Sequence, residues 1–517
     1  MLLERVVGTW ETVRDTRSRT RKREALAACL RDAGPDLPTV ACWLAGTLRQ
    51  GRIGIGPSTV QTAWRELHQP AATGGLSVPD VDAVFDRILA EGGPGSNARR
   101  LAELQRLLGT VRENERLFLV RLLNGELRQG ATEGLLLDAI AEASGIRLQR
   151  VQRAFMLVGD LPRVATTALT RGETGLDTFR IELFRPLRPM LAQTAESPVQ
   201  AMVLLGQDAF VDHKLDGVRL QIHRDGSQIR TYTRNLHDVT SMVPDVVEAA
   251  SRLPWARFIV DAEAISLHPD GRPRPFQTTM RRFGRKVDVA SLRYEVPLAL
   301  QVFDCLLLGD DETIDWAAER RFRELMQVPA RYRIARTRVS DPDEAEAAYD
   351  AATDLGHEGV MVKDPQGIYQ AGARGRSWLK VKPTHTLDLL VLGAEWGSGR
   401  REGTLSNLHL GAIDPATGEP VMVGKTFKGL TDELLAWQTT ALLELETGRN
   451  DWQVFVRPEL VVEIAFNDVQ ASSQYPGGMA LRFARVKRYR PDKRPEDADA
   501  LDAVRALLPV DSASSAS

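Results

Sequence analysis

The feature that most constrains the fold is a change in the spacing of apolar residues near Pro186 and Pro189. Before these prolines, apolar residues recur at helical spacing. The pattern predicts helices over residues 24–31, 59–67, 81–89, 99–108, 113–124, 135–143 and 148–158. Because proline rings end such a pattern, the sequence predicts an all-α domain over residues 1–185.

After the prolines, short alternating runs bounded by turn residues predict strands. Residues 220–223 and 229–233 flank Asp225-Gly226 and predict a hairpin. Further strands are predicted at 258–265, 298–308, 359–363 and 378–382. Short strands with interspersed helices predict an antiparallel α+β domain over residues 186–383.

From residue 384 the pattern becomes almost all-β. Strands are predicted at 387–396, 405–413, 421–427, 460–469 and 481–489, with a helix at 432–444. This order fits an OB-type barrel over residues 384–510. The polar end, residues 511–517, is predicted to be a disordered tail. The chain is therefore expected to be multidomain.

Bulk properties exclude several classes of protein. The net charge is only -2 in 517 residues, so nucleic-acid binding requires local basic patches. The isolated Cys29, Cys42 and Cys305 support neither a disulfide framework nor a zinc ribbon. No signal peptide and no membrane span are expected, because charged residues come early and no apolar run approaches ~18 residues. We expect a soluble cytoplasmic protein, associated with the nucleoid if it is prokaryotic.

Two segments of the helical region share a pattern of arginine, glycine and a hydroxyl residue that opens a helix. They span residues 51–59 and 128–132. Backbone amides at such a helix start suit a phosphate. The alternative is an ordinary turn with a capping hydroxyl. The first segment lacks the lysine of a P-loop and is not a nucleotide fingerprint.

The run Lys214-Leu215-Asp216-Gly217-Val218-Arg219 gathers charge where the pattern predicts a strand and a turn. On a strand, Lys214 and Asp216 would point to the same face. A lysine is nucleophilic only when neutral, so burial or a nearby cation must lower its pKa. Gly217 would allow the backbone to approach a ligand closely, and Arg219 can bind phosphate or ribose. The alternative is a surface hairpin with scattered charges.

Other charged residues lie on predicted strands and are each typical of a solvated face. They are Glu263, Glu358, Lys363, Lys380 and Lys382. Together with Lys214 they predict a pocket of cations and carboxylates. Cations would hold a polyphosphate, and the carboxylates would repel it unless a divalent metal lay between them. The residues therefore indicate a lysine nucleophile, a metal and a nucleoside triphosphate.

The Lys214–Arg219 run resembles the nucleotide-accepting motif of covalent nucleotidyltransferases. Later segments resemble the remaining motifs in the same order: Thr233-Arg234-Asn235, Asp261-Ala262-Glu263, Phe303-Asp304, and residues 358–363, 378–382 and 482–493. Ala262 departs from the usual glycine. The arginine-rich last motif and the helical N-terminal region resemble ATP-dependent DNA ligases of the bacterial type with an N-terminal DNA-binding domain.

The resemblance implies that Lys214 accepts AMP from ATP, passes it to the 5′-phosphate of nicked duplex DNA, and that the 3′-hydroxyl then seals the strand. This would serve replication, recombination or repair, and the protein is expected to be a monomer independent of membranes. The implied ATP contacts are Asp212, Lys214, Arg219, Arg234, Glu263, Phe303, Arg374, Lys380 and Lys382. Glu263 and Glu358 are the implied ligands of Mg²⁺ or Mn²⁺.

The resemblance also implies roles for residues other than these ATP and metal contacts. Asp216 would orient Lys214 or a metal-bound water, and the sequence does not choose between these roles. Arg490, Asp492 and Lys493 would reach the pyrophosphate through a hinge near residues 382–385. The implied DNA contacts of the helical domain are Arg49, Arg52 and Arg128.

Four other functions were weighed against a DNA ligase. A messenger-RNA capping guanylyltransferase or an RNA ligase fits the helical domain and the last motif less well. A NAD-dependent ligase would be expected to contain a cysteine zinc site. A catalytically silent DNA-binding scaffold would be expected to have lost Lys214, Glu263, Glu358 and Lys380, which are all present.

Overall fold

The chain forms two compact units, Met1–Pro189 and Met190–Ser517. The computed structural model describes residues 1–66, 75–127, 133–206, 208–284, 288–372 and 374–508. The division lies at the prolines where the helical spacing ends. The domain boundaries at 185, 383 and 510 stay predictions, and the tail at 511–517 lies outside the described residues.

The first unit is helical, as predicted. Its α-helices are α1 (Leu3–Asp15), α2 (Arg19–Asp32), α3 (Leu37–Leu44), α4 (Pro57–Arg65), α5 (Val78–Ala90), α6 (Ser96–Thr110), α7 (Glu113–Leu123), α8 (Glu133–Ser144), α9 (Leu148–Val158) and α10 (Leu161–Leu176). The sequence analysis did not predict α1, α3 or α10. In the described part of the chain, no helix has the length and apolar character needed to cross a membrane.

Local chemistry explains where these helices begin and how they pack. At α5, the Ser77 side chain accepts a hydrogen bond from the Asp80 N–H, and Asp80 accepts one from the Ser77 N–H. The core contains buried aromatic rings, and the Trp43 ring lies 6.1 Å from Phe85 and 6.4 Å from Phe118. Edge-on packing of such rings adds to the burial of apolar surface.

The second unit contains strands and short helices. Its first strands are β1 (Leu191–Thr194), β2 (Ala209–His213), β3 (Val218–Asp225), β4 (Gln228–Thr233), β5 (Arg257–Ser266), β6 (Leu298–Leu308), β7 (Asp311–Glu312), β8 (Arg336–Val339), β9 (Val360–Lys363) and β10 (Arg374–Val381). The accompanying helices are α11 (Pro198–Leu205), α12 (Pro244–Ser251), α13 (Phe276–Met280), α14 (Val289–Glu295), α15 (Ala318–Leu325) and α16 (Pro342–Asp354).

These strands form two sheets, in the orders β1-β10-β9-β2-β8 and β4-β3-β5-β6-β7. Neighbouring strands are antiparallel except for β1 and β10, which pair in parallel. The predicted α+β domain is therefore confirmed with one parallel pair. The two sheets meet at the connection between β2 and β3, which is the segment that carries Lys214.

The C-terminal β region continues the second unit. It consists of β11 (His385–Trp396), β12 (Leu405–Ile413), β13 (Pro420–Thr426), α17 (Asp432–Glu444), β14 (Glu446–Arg449), β15 (Gln453–Val456), β16 (Val461–Phe466), β17 (Asp468–Ala471), β18 (Met479–Arg482), β19 (Arg485–Tyr489) and α18 (Leu501–Arg505). The main sheet has the order β13-β12-β11-β15-β14, and β16 pairs with both β11 and β19.

The sequence predicted an almost all-β region here, which is confirmed, and it predicted α17 over its full length. Two long predicted strands are each divided in the structure. Residues 481–489 are interrupted at Phe483, whose φ of 58° is incompatible with an extended strand. The hairpin of β14 and β15 was not predicted, since its strands are short. The OB-type closure stays a prediction.

Candidate active site

Lys214 lies in the connection between the two sheets, held by backbone hydrogen bonds to the segment before β9. The Lys214 N–H donates to the Gly359 carbonyl at 2.8 Å, and the Glu358 N–H donates to the Lys214 carbonyl at 3.0 Å. Gly359 has a φ of 113°, and a Cβ there would lie 2.2 Å from the Val381 carbonyl oxygen. Only glycine fits this position. The close packing brings the end of β10 next to residues 214–217, which we call the lysine loop.

Gly217 also permits a close approach, in this case to the neighbouring strand β5. A Cβ on Gly217 would lie 2.5 Å from the Ala264 carbonyl oxygen of β5. The glycine therefore allows the lysine loop to pack directly on the second sheet. Its predicted close approach to a ligand stays a prediction.

Lys214 forms an ion pair with Glu358. Its Nζ lies 2.7 Å from Glu358 Oε2, and Lys382 pairs with the other oxygen of the same carboxylate. Burial alone would lower the pKa of Lys214, but the Glu358 carboxylate, with Glu263 and Asp216, raises it above its ordinary value. The sequence led us to expect a lowered pKa for Lys214, whereas the carboxylates around the amine raise it.

This pairing also affects the pKa of Glu358 and of Lys382. Burial favours a raised pKa for Glu358, but Lys214 and Lys382 lower it overall. Burial and the nearby Lys214 charge lower the pKa of Lys382. The predicted combination of cations and carboxylates is thus present around the lysine.

Glu263 lies on β5, directly opposite Arg219 of β3. Burial, with the carboxylates of Asp216 and Glu358, raises the pKa of Glu263 to about 7, against the opposing effect of Lys214 and Arg219. A divalent cation would relieve this repulsion between acidic groups. Among the described residues, no group of three or more acidic, histidine or cysteine side chains forms a metal site. The predicted pair, Glu263 and Glu358, still suits Mg²⁺, which is usually bound by one or two carboxylates with phosphate and water.

Asp216 does not share a strand face with Lys214. That prediction is wrong because β2 ends at His213 and β3 begins at Val218, so both residues lie in the connection. The Asp216 carboxylate instead accepts a hydrogen bond at 3.0 Å from Arg482, which is 266 residues away at the end of β18. Arg482 also approaches Asp468 at 3.5 Å.

Arg219 is held in a buried hydrogen-bond network. Its Nη1 donates to the Met190 carbonyl at 2.7 Å, and its Nη2 donates to Asp261 at 2.6 Å and to the Tyr369 hydroxyl at 3.1 Å. Burial opposes the charge of Arg219, but Asp261 raises its pKa overall. The Arg219 Nε is buried without a hydrogen-bond partner in the described chain. Tyr369 was not predicted from the sequence, because it lies outside any helical or strand pattern.

Asp212 and Phe303 lie beside this network. The Asp212 carboxylate is 2% exposed and accepts hydrogen bonds from Arg336 at 2.5 and 2.7 Å. Lys363 Nζ is 2.7 Å from Asp212 and 5.0 Å from the centre of the Phe303 ring. Burial would raise the pKa of Asp212, but Arg336 and Lys363 lower it overall. Trp378 meets Phe303 edge-on, with the ring centres 6.1 Å apart, and these two rings form the aromatic wall of the site.

The remaining predicted nucleotide contacts are less defined. Lys380 is half-buried on β10, and Arg234 is exposed in the turn after β4. Arg374 begins β10, but its side chain lies outside the described part of the structure.

Arg490, Asp492 and Lys493 form ion pairs within their own β region. Arg490 lies 3.0 Å from Asp388 and 2.7 Å from Asp492. Lys493 Nζ lies 2.6 Å from Asp388. The structure does not bring this cluster to Lys214. Arg482, which lies in the same predicted motif, is the residue that reaches the lysine loop.

The predicted DNA contacts of the first unit divide into three cases. Arg49 pairs with Asp82 at 2.8 Å and with Asp86, both on α5, so these acids neutralise its charge. Arg52 is exposed, and no ion pair engages it within the described ranges. Arg128 lies outside the described residues.

A cleft of about 880 Å³ opens beside the lysine loop. Asp216 and Arg482 form part of its wall, together with Arg272, Arg274 and Phe276. Arginines beside a phenylalanine ring are a combination suited to a polyanion with stacked rings.

Comparison with known proteins extends these observations. Three family models match the chain: "ATP dependent DNA ligase domain" over residues 189–382, "ATP dependent DNA ligase C terminal region" over 401–493, and "DNA ligase N terminus" over 59–141.

Curated relatives match along nearly the whole chain. A probable DNA ligase of Anaeromyxobacter sp. (strain K) is 51% identical over 510 residues, covering 98% of this chain and 99% of the relative. One from Nocardia farcinica is 49% identical over 530 residues, covering 98% and 100%. The solved structure Pmar-Lig_PreS3 has a TM-score of 0.61 at 17% identity, covering 94% of this chain and 99% of that one, which supports the fold.

Proposed function

The chain belongs to the family of ATP-dependent DNA ligases, which seal nicks in DNA, and from that premise we propose which of its residues perform each step. The observation that carries the proposal is the pairing of Lys214 and Lys382 on the two oxygens of Glu358. A potential nucleophile and a phosphate-binding cation thus converge on one carboxylate. No other described cluster combines these groups with the family's motif order.

ATP would bind between the two sheets. Phe303, in edge-on contact with Trp378, offers an aromatic surface for adenine, and Lys363 connects Asp212 to this surface. Arg219 has an unpaired Nε within this wall and would bind the ribose or a phosphate. Lys380, Lys382, Arg234 and Arg374 are the further nucleotide contacts that we propose.

Lys214 would be the nucleophile. Its Nζ forms a bond to the α-phosphorus of ATP while the bond from that phosphorus to the pyrophosphate oxygen breaks. The ammonium must first lose its proton, because only the neutral amine has a lone pair to donate. Lys380 and Lys382 would stabilise the negative charge that accumulates on the phosphate oxygens.

Glu263 and Glu358 would hold Mg²⁺ or Mn²⁺ with the phosphates. Bound by these carboxylates, a divalent cation would supply positive charge that favours the neutral amine and offsets the phosphate charge. Glu358 lies 2.7 Å from the Lys214 amine, and this ion pair orients the amine and raises its pKa.

The second and third steps use DNA. AMP passes from Lys214 to the 5′-phosphate, and the 3′-hydroxyl then attacks that phosphate and releases AMP. We propose that the nick lies in the cleft lined by Arg272, Arg274, Phe276 and Arg482. Asp216, held by Arg482, would connect this cleft to the lysine loop. In the first unit, Arg52 is the residue that we propose as a DNA contact. A monomer would suffice for all three steps.

A sealing assay with two substrates tests this assignment. Lys214→Ala should fail to seal a nick with a 5′-phosphate, because it cannot accept AMP. The same variant should seal a nick that already carries AMP on its 5′-phosphate. The proposal is contradicted if the variant seals the unmodified nick with ATP, or if the folded variant leaves the adenylated nick open.

A further inference from the structure

Tyr369 lies in the segment between β9 and β10, beneath the proposed nucleotide site. Its side chain is 1% exposed, and its hydroxyl takes part in three hydrogen bonds. It donates to Asp261 at 2.5 Å and accepts from the Met190 N–H and from Arg219 Nη2, each at 3.1 Å. One hydroxyl therefore joins four segments that are distant in the sequence.

The Tyr369 hydroxyl keeps its proton and can therefore always donate a hydrogen bond. Burial, and the adjacent Asp261 carboxylate, raise the pKa of Tyr369 well above its ordinary value, so it stays protonated. The same Asp261 oxygen accepts from both Tyr369 and Arg219. Because the tyrosine donates to this oxygen, the carboxylate is fixed in the orientation that pairs with Arg219.

The aromatic wall supports the same arrangement. The Tyr369 ring meets Trp378 edge-on at 5.9 Å. The Arg219 guanidinium lies 5.5 Å from the centre of Trp378 and 5.3 Å from that of Phe303. The arginine is therefore located from one side by hydrogen bonds and from the other by rings that attract a cation.

We propose that Tyr369 is a positioning residue, whose hydroxyl orients Arg219 through Asp261 for binding of the nucleotide. The inference rests on the proposed function, because Arg219 is assigned there to the ribose or phosphate of ATP. Tyr369 itself is surrounded by protein and would touch neither ATP nor DNA. Its effect would therefore appear in the affinity for ATP.

Tyr369→Phe removes the hydroxyl and keeps the ring. We expect the KM for ATP in self-adenylation to rise by about tenfold, while kcat changes less than about threefold, because a loosened Arg219 weakens nucleotide binding. Tyr349→Phe is the matched control. Tyr349 lies on α16 and packs against the core of the first sheet, so the same change there should leave the KM unaltered.

A double-mutant cycle separates positioning from a general loss of stability. If Tyr369 acts through Arg219, adding Tyr369→Phe to Arg219→Ala should raise the KM no further. Asp261→Asn replaces Arg219→Ala in the cycle if the latter does not fold. An unchanged KM in Tyr369→Phe, or fully additive effects in the cycle, would overturn the inference. Failure of the unmodified chain to adenylate itself would instead overturn the proposed function.

Discussion

At the scale of single residues, Glu358 controls the protonation of Lys214, the proposed nucleophile. It pairs with Lys214 and Lys382 at once, and its charge offsets the burial that would otherwise lower the pKa of Lys214. The lysine is thus kept oriented but protonated. Deprotonation becomes part of the reaction, so its rate should depend on pH.

Glu358→Gln should change that dependence in a defined direction. In the unmodified chain, self-adenylation should rise with pH as Lys214 loses its proton. Without the carboxylate, burial and the Lys382 charge dominate, so the pKa of Lys214 falls and the rising limb moves to lower pH. The maximum rate should also fall, since a proposed metal ligand is lost. Single-turnover adenylation across a pH series measures both effects. A rising limb at the same pH in Glu358→Gln and in the unmodified chain would contradict the role of Glu358.

At the scale of elements, Asp212 joins three strands of the first sheet. It lies on β2 and accepts hydrogen bonds from Arg336 of β8, while Lys363 of β9 pairs with it from the other side. All three side chains are largely buried. The sheet that carries the lysine loop therefore depends on a charge cluster that is matched within its interior.

Asp212→Asn should lower the free energy of unfolding by about 3–5 kcal/mol, because it leaves two buried cations without a carboxylate. Asp208→Asn is the control, since Asp208 pairs with the exposed Arg338 and its loss should cost about 0–1 kcal/mol. Because the pKa of Asp212 is lowered, its contribution should be complete above about pH 4 and be lost at lower pH. Urea unfolding of both variants measures the difference, and equal losses would contradict the cluster's role.

At the scale of the whole molecule, two arginine-rich parts of the last motif have different partners. Arg482 reaches Asp216 at the lysine loop, while Arg490 and Lys493 pair with Asp388 in the β region. This arrangement places Arg482, and not Arg490 or Lys493, at the lysine loop. Ligation would therefore require the β region to change its position between steps.

Two variants should separate those steps. Lys493→Ala should lower self-adenylation at least about tenfold, with a smaller effect on the sealing of a nick that already carries AMP. Arg482→Ala should show the reverse pattern, since its contact with Asp216 borders the proposed DNA cleft. Rapid-quench assays of each step give the comparison. Equal losses of both steps in both variants would contradict the proposed division.

The sequence predicted elements better than contacts. Helical spacing and strand alternation depend on neighbouring residues, so α17 and β6 were predicted over their full lengths. The Lys214–Asp216 geometry was predicted wrongly because alternation does not reveal that a chain passes from one sheet to another. Tyr369 was missed for a related reason, since its partners are between 108 and 179 residues away. The ordered motifs identified the chemistry, while burial and pairing required the structure.

The most direct test of the account is the site at which AMP becomes attached. The chain is incubated with ATP or GTP labelled in the α-phosphate, separated under denaturing conditions, and the labelled peptide is identified by mass. We expect ATP to label the peptide that contains Lys214, and Lys214→Ala to remain unlabelled although folded. Label from GTP, label on another residue, or label that persists in Lys214→Ala would contradict the assignment of Lys214 as the nucleophile.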